Sequence, residues 1–466
     1  MDTNNEYQLG PNEIGINEKL GIGKSLFYGA QSVIALNLFL GIIVIASIMG
    51  ADIVTTAVLI TLAFLGMGIA TFFQAGVFMK YPTVQCTSFA ILGAFATIAM
   101  QFNMAVAFGS LILGAVILIV LGYFRLFSYV MKVIPPIVAC VVIIVIGINV
   151  MYVAAENLIM TATGSGQAGT YFMLAGIVFV LIFVFKAIGN TQLKIASVCA
   201  RGGVLIAIVV ATLIAAALGQ ADFSAVAAAP WFALPPVGHF GFPQFELGPS
   251  LVFIVLYIIV MVETVGNWFA ISHTAKVPIT KKEIDKGIIG EGVGCLVGAF
   301  VGTPTLTSYA TNCGVITITK VYSRWAAVGA AVICIILSFI PKLMYVIASL
   351  PGIVMWGVLM ALCTSIIMTG LKSVNRYQIN ERNFLIIGIP VAVTLLVSMF
   401  PQDLLMAMPM FWGFLFSSSI CIGTIAAIVC NLVLPKEKDK NINDGSEDEE
   451  DKAIRLAAEA EAAAGE

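Results

Sequence analysis

Long apolar stretches separated by short polar breaks dominate the chain, and residues 42–48, 204–217 and 251–262 contain almost no polar side chain. Such runs do not alternate with a period of two, which excludes a membrane β-barrel. Hydrocarbon leaves no room for unpaired backbone amides and carbonyls, so helices are the remaining solution. One crossing takes about 20 apolar residues. The pattern predicts fourteen segments, near 26–50, 53–73, 86–100, 104–124, 134–154, 168–188 and 195–218, then 249–272, 287–302, 308–320, 324–341, 344–369, 384–400 and 408–434. Two of them, 86–100 and 308–320, are too short to cross as full helices.

Composition places these helices in lipid. The chain is 60% hydrophobic and only 10% charged, with a mean hydropathy of +1.04, whereas a soluble domain carries roughly 25% charged residues. The class is therefore an all-α polytopic membrane protein. Assigning loops alternately to two sides puts all of the 23 Lys and Arg except Lys342 on one side. By the positive-inside rule both termini are cytoplasmic, which requires an even number of spans. The first 25 residues lack a basic stretch followed by a short apolar core, so no cleaved signal peptide is expected. Residues 219–248, rich in Pro, Gly and Ala, form an outside linker between the two sets, and 435–466 read as a disordered acidic tail.

Charge and cysteine usage narrow the function by exclusion. A net charge of −2 points to no nucleic-acid partner. The nine cysteines are scattered singly through apolar runs, with no CxxC pair and only His239 and His273 to supply imidazole. They read as small buried apolar residues, and no metal or cofactor is expected. With no nucleophile–base spacing or metal cluster within the membrane segments, the chain does not read as an enzyme.

Two non-spanning segments echo each other. Pro82-Thr83-Val84-Gln85-Cys86-Thr87-Ser88-Phe89-Ala90 resembles Pro304-Thr305-Leu306-Thr307-Ser308-Tyr309-Ala310 with a two-residue gap, and each belongs to the third segment of its set of seven. Seven is odd, so the second copy runs with opposite topology. Interrupted segments in matching positions of inverted halves point to a transporter's substrate site, where half-helix N-termini favour an anionic or carbonyl-bearing ligand. Glu263 lies deep inside an apolar run. A carboxylate there costs at least about 2.5–3.5 kcal/mol to insert, so it should face a cavity and work, here by taking up and releasing a proton. Asn267, four residues on, shares its helix face. Glu291, in Gly290-Glu291-Gly292-Val293-Gly294, is balanced between a functional role and a structural hydrogen bond to a neighbouring segment, while Gln31 is polar and one turn into the first helix.

These residues carry a resemblance. Thr311-Asn312-Cys313-Gly314-Val315-Ile316-Thr317-Ile318-Thr319-Lys320 looks like the signature of the nucleobase–ascorbate transporter family, matching at Asn312, Gly314, Thr319 and Lys320 but not at Thr311. Gly29-Ala30-Gln31-Ser32, Thr87-Ser88-Phe89, Glu263-Thr264-Val265-Gly266 and the glycine-flanked Glu291 resemble four further family elements. The resemblance implies fourteen segments as two inverted seven-segment repeats, with short strands before half-helices three and ten. It also implies a core domain (26–124 and 249–341) moving as an elevator against a gate domain (125–218 and 342–434), within a homodimer in the plasma membrane. Carried over, Glu263 binds the ring N–H groups of a base and couples transport to a proton rather than to sodium. Phe89 offers its amide and its ring, Ser88, Tyr309, Ala310 and Thr311 complete the substrate site, and Gln31, Asn267, Glu291, Asn312 and Gly314 support it. Thr311, Ser32 and Asn267 depart from the family pattern, while the Glu263 element looks closer to the purine branch. The implied activity is uptake of xanthine or uric acid, with uracil, or an anion- or ascorbate-type carrier on the same fold, as alternatives.

Overall fold

The computed structural model describes residues 13–126, 136–189, 191, 196–275, 277, 279–309, 311–374 and 380–435. The first apolar run is broken into α1 (Ile22–Leu36) and α2 (Leu40–Ile48) at Asn37, whose φ of 49° is left-handed, a conformation asparagine tolerates better than most residues. Helix α3 (Ile53–Thr71) starts at Asp52, whose carboxylate caps the Thr55 amide at 3.0 Å. The hydroxyl and amide of Thr55 hold that carboxyl below its ordinary range. The helix widens into a π turn, Phe72–Phe78. Strand β1 (Gln85–Thr87), a 3-10 turn (Phe89–Ile91) and α4 (Leu92–Gln101) follow, then α5 (Met104–Tyr123), α6 (Pro136–Gly164), α7 (Ala168–Gly189) and α8 (Ala196–Ala217).

A linker containing the short α9 (Ser224–Ala228) leads to α10 (Leu247–Ala275), α11 (Lys281–Val301), β2 (Leu306–Ser308) and α12 (Thr311–Thr319). The chain ends its described part with α13 (Arg324–Ser338), α14 (Pro341–Ala348), α15 (Gly352–Val374), α16 (Glu381–Ser398), α17 (Gln402–Ala407), α18 (Met410–Ser417) and α19 (Ser419–Val433). Among the described residues, eight helical stretches are long and apolar enough to cross a membrane, or nine if the bent pair α13–α14 counts as one. Residues 86–100 and 308–320 become a strand followed by helices of 10 and 9 residues.

Helix α6 runs to Gly164, ten residues past the expected 154, and three further boundaries differ from the sequence pattern for a local reason. Helix α11 begins at Lys281 instead of near 287, because Thr280 and Glu283 form a reciprocal capping box. The segment expected at 344–369 starts at Gly352, after α14 has turned 89° away from α13; Pro341 and Pro351 bracket that separate helix. The segment expected at 408–434 is split at Ser418, whose side chain caps the Cys421 amide of α19.

The helices pack in two groups. In one, α1 and α3 lie on α13, and α11 lies on α3 and α5, which also holds α10. In the other, α6 packs on α15, α16 and α19, and α7 on α8 and α15. Small residues set the closest approach, as expected where lipid removes the hydrophobic drive between helices. Gly29 of α1 lies against the backbone of Gly329 and Ala330, and Gly329 against that of Ser25, so a Cβ at either position has no space. Substituting Gly29→Val should overpack this crossing and cost about 1–3 kcal/mol. Thermal denaturation in detergent should show the loss, with Gly176→Ala as a neutral control because nothing lies within 4 Å of where its Cβ would stand.

Candidate substrate site

Where the two halves meet, the chain gives up helix for two extended segments. Strands β1 and β2 pair antiparallel, with Gln85 opposite Ser308, Cys86 opposite Thr307 and Thr87 opposite Leu306. The ladder is extended at both ends: the Ser88 amide donates to the Thr305 carbonyl at 3.0 Å, and the Tyr309 amide to the Val84 carbonyl at 3.0 Å. All six strand residues are buried. Each strand supplies partners that apolar surroundings cannot, which is the condition for non-helical backbone at this depth.

Glu291 fastens this pair to the helices. The residue is 2% exposed. It accepts hydrogen bonds from Gln85 Nε2 of β1 at 2.8 Å, from Thr264 Oγ1 of α10 at 2.9 Å and from the Ser308 amide of β2 at 3.1 Å. Of its two readings from sequence, the geometry matches the structural one. Two asparagines do similar work: Asn267 Nδ2 donates to the Ser308 carbonyl at 2.8 Å, and Asn312 Nδ2 to the Pro82 carbonyl at 2.6 Å. Each holds a strand or its approach rather than aiming at open space.

Glu263 is differently placed. Ser88 donates its hydroxyl to Oε2 at 3.4 Å, and that hydroxyl in turn caps the Ala90 amide at 3.2 Å. No described residue bonds the other carboxylate oxygen, so Glu263 keeps acceptor capacity that Glu291 has spent. The rings of Phe89 and Tyr309 sit beside each other, centroids 6.2 Å apart and tilted by 32°. Several buried polar atoms have no partner among the described residues, including Gln31 Nε2, Thr87 Oγ1, Ser308 Oγ and Thr311 Oγ1. Buried donors and acceptors are rarely left unpaired without reason. Gly314 is exposed, with open space where a side chain would stand, and is not brought into this group. Ala310 lies outside the described residues.

A cavity of about 170 Å³ opens at Phe89 and Ala90, and neither Glu263, Tyr309 nor a residue of β1 or β2 lines it. Phe89 and Ala90 form one wall, and Asn149, Tyr152 and Glu156 of α6 face them together with Ser398 and Ser419. Phe89 is shared, since it lines the cavity while the preceding residue, Ser88, bonds Glu263. The far wall is organised by Asn149, whose Nδ2 donates to Ser398 Oγ at 3.0 Å and to Ser419 Oγ at 2.6 Å, with the two serines 2.9 Å apart. Sequence reasoning missed this cluster. Its signals were a lone amide in an apolar run and three consecutive serines, 417–419, inside an expected span. Among the described residues, no group of three His, Cys, Asp or Glu could hold a metal ion.

The model of the Permease family that covers xanthine/uracil permeases matches residues 23–403. The chain belongs to the nucleobase–ascorbate transporter family. It is 32% identical over 447 residues to CPE0397 of Clostridium perfringens, named as a purine permease, covering 94% of this chain and 96% of that one. It is also 28% identical to the uric acid permease PucJ of Bacillus subtilis, over 80% of this chain and 84% of that one. The xanthine permease of Bacillus subtilis matches at 27%, over 89% and 94%.

Among solved structures, the transmembrane domain of the cyanobacterial bicarbonate transporter BicA aligns with a TM-score of 0.59 at 16% identity, covering 83% of this chain and 98% of that domain. Murine Slc26a9, an anion transporter in the inward-facing state, aligns with a TM-score of 0.61 at 12% identity, over 89% and 69%. These two likenesses establish the fold alone. The chain is thus an integral membrane permease, a transporter rather than an enzyme.

Removing Glu291 tests its place in the site. Glu291→Ala leaves three buried donors unmatched, at about 1–3 kcal/mol each. The purified protein should unfold at distinctly lower temperature than Glu263→Ala, which frees one long hydrogen bond. Glu291→Gln, which keeps one acceptor oxygen, should fall between.

Proposed function

We propose that the chain is a secondary active transporter that imports a purine nucleobase, xanthine or uric acid, by proton symport. The observation that carries this reading is Glu263: a buried carboxylate with an unused oxygen, next to the Phe89–Tyr309 ring pair and the paired strands. A planar base presents ring N–H groups that Glu263 can accept, and two faces that aromatic rings can cover. Phe89 supplies its amide to an exocyclic oxygen, and Ser88, Ala310 and Thr311 complete the surround. Buried polar groups matched to a base reject ligands lacking the matching edge. The names of the purine, uric acid and xanthine permeases similar in sequence support the substrate class.

The reading extends to mechanism. Fourteen segments in two inverted repeats give a core of 26–124 and 249–341 and a gate of 125–218 and 342–434, joined through 219–248. The two helix packing groups support this division, and the cavity between Phe89 and the Asn149 cluster falls where core would slide against gate as an elevator. Glu263 binds the coupling proton and the base together. Gln31, Asn267, Glu291 and Asn312 support the site, and Gly314, which faces open space, takes no part in it. The protein works as a homodimer in the cell membrane with both termini cytoplasmic. A carrier of inorganic anions shares the fold but not this chemistry, since a simple inorganic anion offers no ring N–H for the Glu263 carboxyl to accept from.

Cells producing the chain should accumulate labelled xanthine or urate, and a proton uncoupler should abolish the accumulation. Failure of every nucleobase to enter or compete would refute the substrate class, and uptake insensitive to the uncoupler but dependent on sodium would refute the coupling. Glu263→Gln keeps a carbonyl acceptor for the base but cannot take up or release a proton, so proton-driven accumulation should drop by about tenfold or more. Its transport should also lose its pH dependence. Thr311 cannot pair with two atoms of a base edge; Thr311→Gln should therefore change the ratio of xanthine to urate uptake.

A further inference from the structure

We propose that residues 219–248 and α14 together form a bilayer-interface anchor, an aromatic strap seated at the level of the lipid headgroups. The first observation is direction. Helix α13 packs along α1 and α3, and α14 leaves it at 89°. If α13 runs across the membrane, α14 lies in the membrane plane. Its Met344 is buried beneath it, while Leu343 and Val346 point outward, the division expected of a helix lying in an interface.

The linker lies over the same turn. The Ala233 amide donates to the Phe339 carbonyl at 3.2 Å, and the Lys342 amide to the Pro230 carbonyl at 3.1 Å. The rings of Phe232 and Phe339 stack 5.9 Å apart at 18°. Further along, the Gln244 amide donates to the Ala105 carbonyl at 2.9 Å and ties the strap to the start of α5. A loop bound this tightly at both ends still leaves its largest apolar side chains outside. Trp231 is 73% exposed and Phe242 87%, and Phe232, Leu234 and Phe245 are exposed as well. Water would penalise each of them at about 25 cal/mol per Å²; the headgroup region is where such rings concentrate in membrane proteins.

Asp222 and Glu246 stand near the ends of the strap in sequence, and one cation beside it offers a contact to a lipid phosphate. Lys342 is the one basic residue that the loop pattern assigns to this side. Its ammonium stands 5.1 Å from the Trp231 ring centroid and donates to the Ala229 carbonyl at 3.3 Å. The ammonium keeps donors beyond that bond and meets a phosphate, while the ring beside it meets the glycerol and upper acyl region. The exposed surface also continues onto Val332 and Ile336 of α13, one turn apart on a face that the described residues leave open. The strap therefore joins a lipid-facing stripe rather than forming an island. Because α14 connects α13 to α15, helices of the two packing groups, the anchor holds the joint between them at a fixed depth.

The full chain in vesicles of phosphatidylcholine and phosphatidylglycerol provides the test. The emission of the wild type minus that of Trp231→Phe isolates Trp231 from the other four of the five tryptophans. Lipids brominated high on their acyl chains should remove the larger part of this difference signal. Bromines near the chain ends should remove less, and aqueous iodide little. Quenching by iodide but not by brominated lipid would place the strap in water and overturn the anchor. Protection from both quenchers would place it against a second copy of the chain and overturn it equally. Phe242→Cys carrying a nitroxide gives an independent reading. Its label should be more accessible to oxygen than to a water-soluble nickel chelate, and the reverse order would also reject the proposal.

Discussion

Two strands of three residues, buried among apolar helices, must have their backbone hydrogen bonds satisfied from within the protein, and this requirement organises the centre of the molecule. The strands satisfy part of it by pairing with each other, and side chains complete the arrangement. Glu291 accepts from both strands and from α10, and it is the point where α10, α11, β1 and β2 are joined. A carboxylate in such surroundings is costly unless its lone pairs are met. Three donors meet most of them here and tie the carboxylate to both strands and to α10.

That division of labour sets Glu263 apart. Two carboxylates lie near the same strands, yet one accepts three hydrogen bonds and the other a single long bond from Ser88. Asn267 shares the helix face of Glu263, but it donates to the Ser308 carbonyl and so belongs with Glu291 in holding the strand. Near the strands, the open oxygen of Glu263, the Phe89–Tyr309 ring pair and the hydroxyls of Thr87 and Ser308 have no hydrogen-bond partner or ring cover from further described residues, and the proposed site draws on them. Rigid scaffolding and unsatisfied capacity lie within one or two residues of each other. A binding site benefits from this closeness, because the groups that meet the ligand are held by neighbours that do not move with it.

The likeness to bicarbonate and other anion transporters is one of fold, while the likeness in sequence is to purine permeases. Such a split is expected when architecture and chemistry are separable. The paired strands can present different side chains to different ligands, since their own stability rests on backbone pairing. The cavity wall built by Asn149, Ser398 and Ser419 comes from the other packing group. The space beside Phe89 is therefore bounded by elements of both packing groups.

Hydrophobic runs were sufficient to identify lipid-embedded helices, because period and length follow directly from backbone geometry and bilayer thickness. The two short segments and the depth of Glu263 were legible for the same reason, and the family motifs identified the family from local residues. What each polar residue does was not legible, because a partner's position depends on folding between residues as distant as Gln85 and Glu291. Sequence left Glu291 balanced between two roles, grouped Gly314 with the site although it faces open space, and passed over Asn149 entirely. The right-angle turn into α14 was likewise invisible, since its apolar residues continue the pattern of the helices on either side. Periodicity records how far a side chain is from water. Only the packed structure decides which hydrogen bonds are already made and which remain for a ligand.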